Sequence, residues 1–129
     1  MAQIKIFGLK SSLSTNKKAL STAIHQAVME ALSYPAEKKF QRFFTLDKDE
    51  FFYPSNRSKN YTIIEISMFE GRSIEAKKKL VKLIFENIDR EVGIKPQDIE
   101  ITIFETPKHN WGIRGKCGDE LSLSYKVDV

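Results

Sequence analysis

The chain contains itself twice. Ile4 recurs as Ile64 and Leu20 as Leu80, an interval of 60 residues; Pro35 then recurs as Pro96 and Phe40 as Ile101, an interval of 61. A repeat of this kind constrains the fold more than any single motif, because each copy must build the same elements and the copies must bury their apolar faces together. The first copy opens with residues 3–9, QIKIFGL, where Ile4 and Ile6 alternate with Gln3 and Lys5 in the period-two pattern of a strand. Leu20, Ile24, Val28 and Leu32 follow, with Ala23, Ala27 and Ala31 beside them, as one apolar face of a helix. Ser14 offers that helix an N-cap, Pro35 ends it, and residues 39–45, KFQRFFT, read as a second strand. The second copy repeats the order. Residues 61–69, YTIIEISMF, alternate; Ser73 caps a helix whose apolar face is Leu80, Ile84 and Ile88; Gly93 suits its end; Ile99, Ile101 and Ile103 alternate in the last strand.

The expected architecture is α+β. Two tandem βαβ units, residues 2–45 and 61–104, form a four-stranded mixed sheet with both helices on one face, within a single domain spanning 1–129. The strands of each unit run parallel through a right-handed helical crossover. Outside the repeat lie a link, 46–60, with Phe51-Phe52-Tyr53-Pro54 at its centre, and an extension, 105–129, whose LSLSYKV run at 121–127 alternates like a short strand. If the helices cover Ile4, Ile64 and Ile101, the other sheet face carries Gln3, Lys5, Tyr61, Ile63, Glu65 and Phe104. That face is too apolar for water alone, so further copies of the chain are expected to cover it.

Composition narrows the function classes. Twenty-one Lys and Arg against 17 Asp and Glu leave a net charge of +4, which permits an anionic ligand without demanding one. One cysteine, Cys117, cannot form an internal disulfide and fits a reducing compartment. No apolar run approaches a bilayer span, and Met1-Ala2-Gln3-Ile4-Lys5 has no signal-peptide core, so a cytoplasmic location without membrane attachment is expected. Two histidines and one cysteine, far apart, do not make a zinc site, and no phosphate-binding glycine motif is present. His25 reads as a packing residue, His109 as a loop residue that can edge a pocket, and Lys77-Lys78-Lys79 as a solvated face.

In a two-copy sheet the first strands of the copies are commonly antiparallel neighbours. The end of strand 61–69 then lies beside the start of strand 3–9, which brings Gly71-Arg72-Ser73 close to Ala2. A chain-terminal amine, an arginine and a helix N-terminus with its unpaired N–H groups would share one small volume, where a carboxylate is favoured. The plainer alternative is that Arg72 forms a surface ion pair.

The chain resembles the tautomerase superfamily, and within it the fused double-βαβ members such as malonate semialdehyde decarboxylase and other 4-oxalocrotonate tautomerase-like proteins. The resemblance spans nearly the whole chain. It rests on the strand directly after Met1, on Ser33-Tyr34-Pro35, on Phe69-Glu70-Gly71-Arg72-Ser73-Ile74-Glu75-Ala76-Lys77-Lys78, on Val92-Gly93-Ile94-Lys95-Pro96-Gln97-Asp98-Ile99 and on Asn110-Trp111-Gly112. It implies a homotrimer with sheets packed inward and a keto–enol tautomerase acting on a small carbonyl carboxylic acid, with no cofactor and no metal. It implies that an N-terminal amine is the base, that Arg72 matches the arginine holding the substrate carboxylate, and that Trp111 matches a pocket wall. Ala2 stands where the family carries its N-terminal proline. Removal of Met1 would expose a primary amine with an ordinary pKa of about 7.7–8.0, able to move protons or to form an imine, but without a ring to fix its direction. Lys38, after Glu37, occupies the place of the decarboxylase's acidic residue, and Glu70 replaces the first of its two loop arginines.

Two other readings stay open at this point. One is a non-catalytic trimer that kept the fold and lost the base. The other is an RNA-binding βαββαβ module; its expected aromatic platform is missing from strand 61–69, which carries Glu65 instead, so no nucleic-acid partner is expected.

Overall fold

The computed structural model describes residues 2–123 and 126–129. Strand β1 (Ala2–Leu9) leads through helix α1 (Lys10–Leu32) to β2 (Gln41–Leu46), and β3 (Thr62–Phe69), α2 (Ile74–Val92) and β4 (Ile99–Thr106) repeat that order. The sheet runs β2-β1-β3-β4. β1 and β2 are parallel, as are β3 and β4, while β1 and β3 pair antiparallel at the centre. This is the tandem βαβ, mixed-sheet architecture that the repeat predicts. A small hairpin, β5 (Gly112–Ile113) with β6 (Lys116–Cys117), follows β4.

Alternation decides which sheet face is dry. Ile4, Ile6, Ile64, Ile66 and Met68 point to the helices and are almost fully buried, meeting Leu20 and Ile24 of α1 and Leu80, Ile84 and Ile88 of α2. The helices pack on each other, and the Asn87 side-chain amide donates to the Ala23 carbonyl at 3.1 Å across their interface. α2 begins and ends as its sequence predicts. Ser73 Oγ accepts from the Ala76 amide, and Gly93 takes a left-handed conformation (φ 81°) that lets its N–H reach the Ile88 and Asp89 carbonyls.

The first copy departs from expectation in three places. Helix α1 starts at Lys10 rather than after Ser14, because Leu13 is fully buried and must already be helical to reach the core. Ser14 therefore lies inside the helix, its hydroxyl donating back to the Lys10 carbonyl instead of capping. Ser33, left-handed at φ 50°, ends the helix two residues before Pro35. The residue of β2 equivalent to Ile101 is Gln41, not Phe40: Gln41 pairs with Ile4 as Ile101 pairs with Ile64. A glutamine is tolerated at this inward position because its amide donates to the Ser21 carbonyl of α1 at 3.1 Å. Phe40 lies just before the strand and is 42% exposed.

Tyr61 also leaves its assigned place. It is buried beneath the link, with the rings of Phe51 and Tyr53 each 5.5 Å away and the Arg57 guanidinium over its face. Burial, then the Glu100 carboxylate, raises its phenol above the usual tyrosine pKa. The link is pinned to the turn before β4, where the Ser58 amide donates to Asp98 at 2.7 Å. The remaining open face carries half-buried Ile63 and Glu65, with Phe44 and Phe104 exposed beside them. Within the alternating run at 121–127, residues 124 and 125 lie outside the described residues, and the described ones form no strand; Val127 packs into a small second cluster instead.

Replacing Ile64 by Ala should lower unfolding free energy by about 2–5 kcal/mol, whereas Phe52→Ala, at a side chain that touches little, should change it by less than about 0.5 kcal/mol. Urea titrations followed by circular dichroism measure both.

Candidate active site

The antiparallel register sets Ala2 opposite Met68, at the end of β3. Ala2 is 2% exposed, and its backbone nitrogen donates to the Tyr34 hydroxyl at 3.2 Å. The left-handed Ser33 stops α1, and Tyr34 directly after it buries its ring so that its oxygen meets the start of β1. In the sequence Tyr34 stands out only as part of Ser33-Tyr34-Pro35. Its contact with a residue 32 positions away follows from the sheet register, which no local pattern reveals.

Phe69 follows Met68 and is fully buried. Its carbonyl accepts from Arg72 Nη1 at 3.3 Å, and its ring meets Trp111 edge-on, with centroids 5.1 Å apart. The three residues singled out by sequence are thus all tied to the Met68–Phe69 pair. Ala2 is bound by the strand register, Arg72 by the Phe69 carbonyl and Trp111 by the Phe69 ring. Arg72 is 4% exposed, so the alternative of a surface ion pair does not describe it. Gly71 makes the bend with φ 129°, a conformation that side-chain-bearing residues rarely adopt.

At the start of α2 part of the expected open donor set is taken. Ser73 Oγ caps the Ala76 amide, while the Ser73 amide and hydroxyl both donate to the Val129 main-chain oxygen, at 3.2 and 2.8 Å. Val127 is buried against Phe69, with Trp111, Ile113 and Leu123 alongside. The C-terminal tail therefore closes over the arginine bend. Its alternation in sequence suggested a strand and gave no sign of this docking.

The other candidates have structural explanations. His25 is buried in α1 with Nε2 2.8 Å from the Ala36 carbonyl, so that nitrogen carries the proton and donates. His109 and Cys117 are exposed. Lys77 is half-buried and pairs with Glu105 at 2.8 Å, and Lys78 and Lys79 are solvated. Two exposed groups, Cys117, Asp119 and Glu120, and Asp47, Asp49 and Glu50, bring ligand atoms together. In each, a glutamate accepts from the backbone amide three residues earlier as part of a capping turn. Grooves open elsewhere, one of about 600 Å³ between α2 and Ile103 and one of about 650 Å³ between Lys10, Tyr53 and Lys59, but neither includes Ala2, Arg72 or Trp111. The tail packs on part of this region, with Val127 against Phe69 and Trp111 and Val129 against Ser73. Among the described residues no helix is long and apolar enough to cross a membrane.

Comparison with known proteins bears on the family and the fold. Residues 38–114 match the family model described as "Tautomerase enzyme", a span that includes Arg72 and Trp111 but not Ala2. The chain is 29% identical over 97 residues to the probable tautomerase YusQ of Bacillus subtilis (strain 168), covering 71% of this chain and 76% of that protein. It is 37% identical over 57 residues to the 2-hydroxymuconate tautomerase of Comamonas testosteroni, covering 44% of this chain and 90% of the relative. Among solved structures, FG41 malonate semialdehyde decarboxylase inhibited by 3-bromopropiolate superposes with a TM-score of 0.77 at 27% identity, over 85% of this chain and 87% of that one. An asymmetric trimer of wild-type fused 4-OT (R7) gives a TM-score of 0.79 at 17% identity, over 91% and 96%.

Gly118 lies so close to the site that a Cβ there would stand 2.6 Å from the Lys108 carbonyl oxygen and 2.9 Å from the Phe69 ring. Gly118→Ala should cost about 1–3 kcal/mol of stability and displace Phe69 from Trp111. A change in emission from Trp111, the chain's one tryptophan, together with a urea titration, checks this.

Proposed function

Because the chain belongs to the tautomerase family, we propose that it interconverts the enol and keto forms of a small carbonyl carboxylic acid, as a homotrimer and without a metal or cofactor. Arg72 holds the substrate carboxylate. Loss of Met1 frees the Ala2 amine, which in its neutral form takes the enol hydroxyl proton, while a proton from the resulting ammonium goes to the substrate carbon. Bonding electrons shift from the O–H bond through the enol to the new C–H bond, so no oxidant or reductant is needed. Tyr34 holds the amine in position, supplying through a hydrogen bond some of the direction that a proline ring would give. Trp111 and Phe69 supply the apolar wall.

The observation that carries this reading is the convergence on Met68–Phe69: Ala2 is paired with Met68 and hydrogen-bonded to Tyr34, and Arg72 is bound to the Phe69 carbonyl. The relatives named as tautomerases support the reaction class. Trimer formation is supported by exposed Phe44 and Phe104 on the open sheet face and by the fused 4-OT trimer of the same fold. Glu65 and Glu100 on that face argue against nucleic acid, whose phosphates they would repel. A non-catalytic trimer is the second reading, favoured by alanine at position 2 in place of proline.

Intact mass of the purified protein should show loss of Met1. Ketonisation of 2-hydroxymuconate or of phenylpyruvate enol, followed by ultraviolet absorbance, should be catalysed by the wild type and slowed about 10- to 100-fold in kcat/KM by Arg72→Ala, the loss of a charge-assisted hydrogen bond. Turnover no faster than buffer in Met1-free protein establishes the non-catalytic reading. Light scattering at micromolar concentration should give three times the 14.9 kDa chain mass; a monodisperse monomer removes the trimer.

A further inference from the structure

The start of α2 already holds an oxygen ligand, and that ligand is the chain itself. The Ser73 amide and hydroxyl converge on one acceptor, the Val129 main-chain oxygen, at 3.2 and 2.8 Å. The hydroxyl has no freedom to do otherwise. Its oxygen accepts from the Ala76 amide at 3.1 Å, so its one proton is directed outward to the tail. Two residues back, Val127 is 5% exposed in the cluster around Phe69, and the Cβ direction of Gly71 points at its Cγ1, 3.1 Å away. Arg72, between Gly71 and Ser73, is 4% exposed.

We propose that Ser73 is a second carboxylate-binding residue of the site, its paired N–H and O–H donors forming an oxygen-binding fork, and that residues 126–129 occupy this fork as an intramolecular ligand that an incoming carboxylate must displace. The proposal rests on the reading of the Arg72 bend as a carboxylate site. It is independent of what Ala2 does. The physical argument is substitution of like for like. A free carboxylate oxygen accepts the same two hydrogen bonds that the Val129 main-chain oxygen accepts, and both the positive end of the 19-residue helix and the neighbouring guanidinium favour its charge. The tail has the opposite advantage of being tethered, which gives it a high effective concentration. Apparent affinity for a free acid is then reduced by the fraction of molecules whose tail is docked. Val127 is the anchor that sets this fraction, since it is the buried side chain of 126–129.

The test uses pyruvate as the probe, calorimetric titration of the full-length protein, and Trp111 emission as the reporter of tail docking. Trp111 serves this purpose because it is the single tryptophan and packs in the cluster that receives Val127. Val127→Asn adds no charge that would repel pyruvate, and Val127→Ala is the milder companion should the first fail to fold. Both substitutions should shift Trp111 emission to the red and tighten pyruvate binding about fivefold or more, in proportion to the tail released. In the Val127→Asn background, Ser73→Ala should weaken binding about tenfold, and Ser73→Thr, which keeps the hydroxyl, should restore it. Red-shifted emission with unchanged or weaker pyruvate binding overturns the proposal. So does unchanged emission in both Val127 variants, pyruvate binding that ignores Ser73→Ala, or no pyruvate binding in any variant. Tighter binding on tail release without turnover retains the fork and removes only the catalytic reading of Ala2.

Discussion

The antiparallel pairing of β1 with β3 is the constraint on which the site depends. Each βαβ unit alone would place its strand start far from its own helix start. Joining the units through their first strands reverses this for one pair of ends, so that Ala2 faces Met68 and lies beside the turn that opens α2. The hydrophobic pattern enforces the register. Ile4 opposite Ile66 and Ile6 opposite Ile64 all point to the helices, and a one-residue slip would turn the two buried isoleucines of the shifted strand toward the open face. The position of Ala2 beside the Arg72 bend is thus fixed by the most buried part of the core.

Phe69 converts that register into a local chemistry. Its backbone carbonyl binds the Arg72 guanidinium, and its ring supports Trp111 and receives Val127. The bend beyond it needs Gly71, and the helix beyond that needs a cap. Ser73 supplies the cap with its lone pair and the tail contact with its proton and its amide. One short segment, Met68 to Ser73, therefore ends a strand, turns, starts a helix and presents an anion-seeking group. Arg72 is 4% exposed and so well shielded from water, where its electrostatic pull on an anion is stronger than at an open surface.

Much of this was legible in the sequence because it is local or periodic. The repeat, the strand alternation, the stripe of α2, the Ser73 cap and the Gly93 stop all follow from spacing, and the juxtaposition of Ala2 with the Gly71–Ser73 bend follows from the topology that the repeat implies. What escaped depended on contacts distant in sequence. Gln41 could not be read as an inward residue because its compensation, the Ser21 carbonyl, belongs to another element. Tyr61 left the open face because the link folds over it, through aromatic packing that has no period. Tyr34 meets Ala2, and Val129 meets Ser73 across 56 residues, only once the sheet exists. Leu13 shows a fourth kind of failure: burial of one side chain moved the start of α1 ahead of its apparent cap.

The proposed function requires that an amine at position 2 and the Arg72 bend form one site for carbonyl acids. Reductive trapping tests it most directly. Pyruvate with borohydride should convert the Ala2 amine, through its imine, to a stable secondary amine found by peptide mass mapping, and Arg72→Ala should suppress that adduct while leaving background lysine labelling unchanged. Retained Met1, or labelling of Ala2 no faster than of the exposed lysines and indifferent to Arg72, would contradict the account.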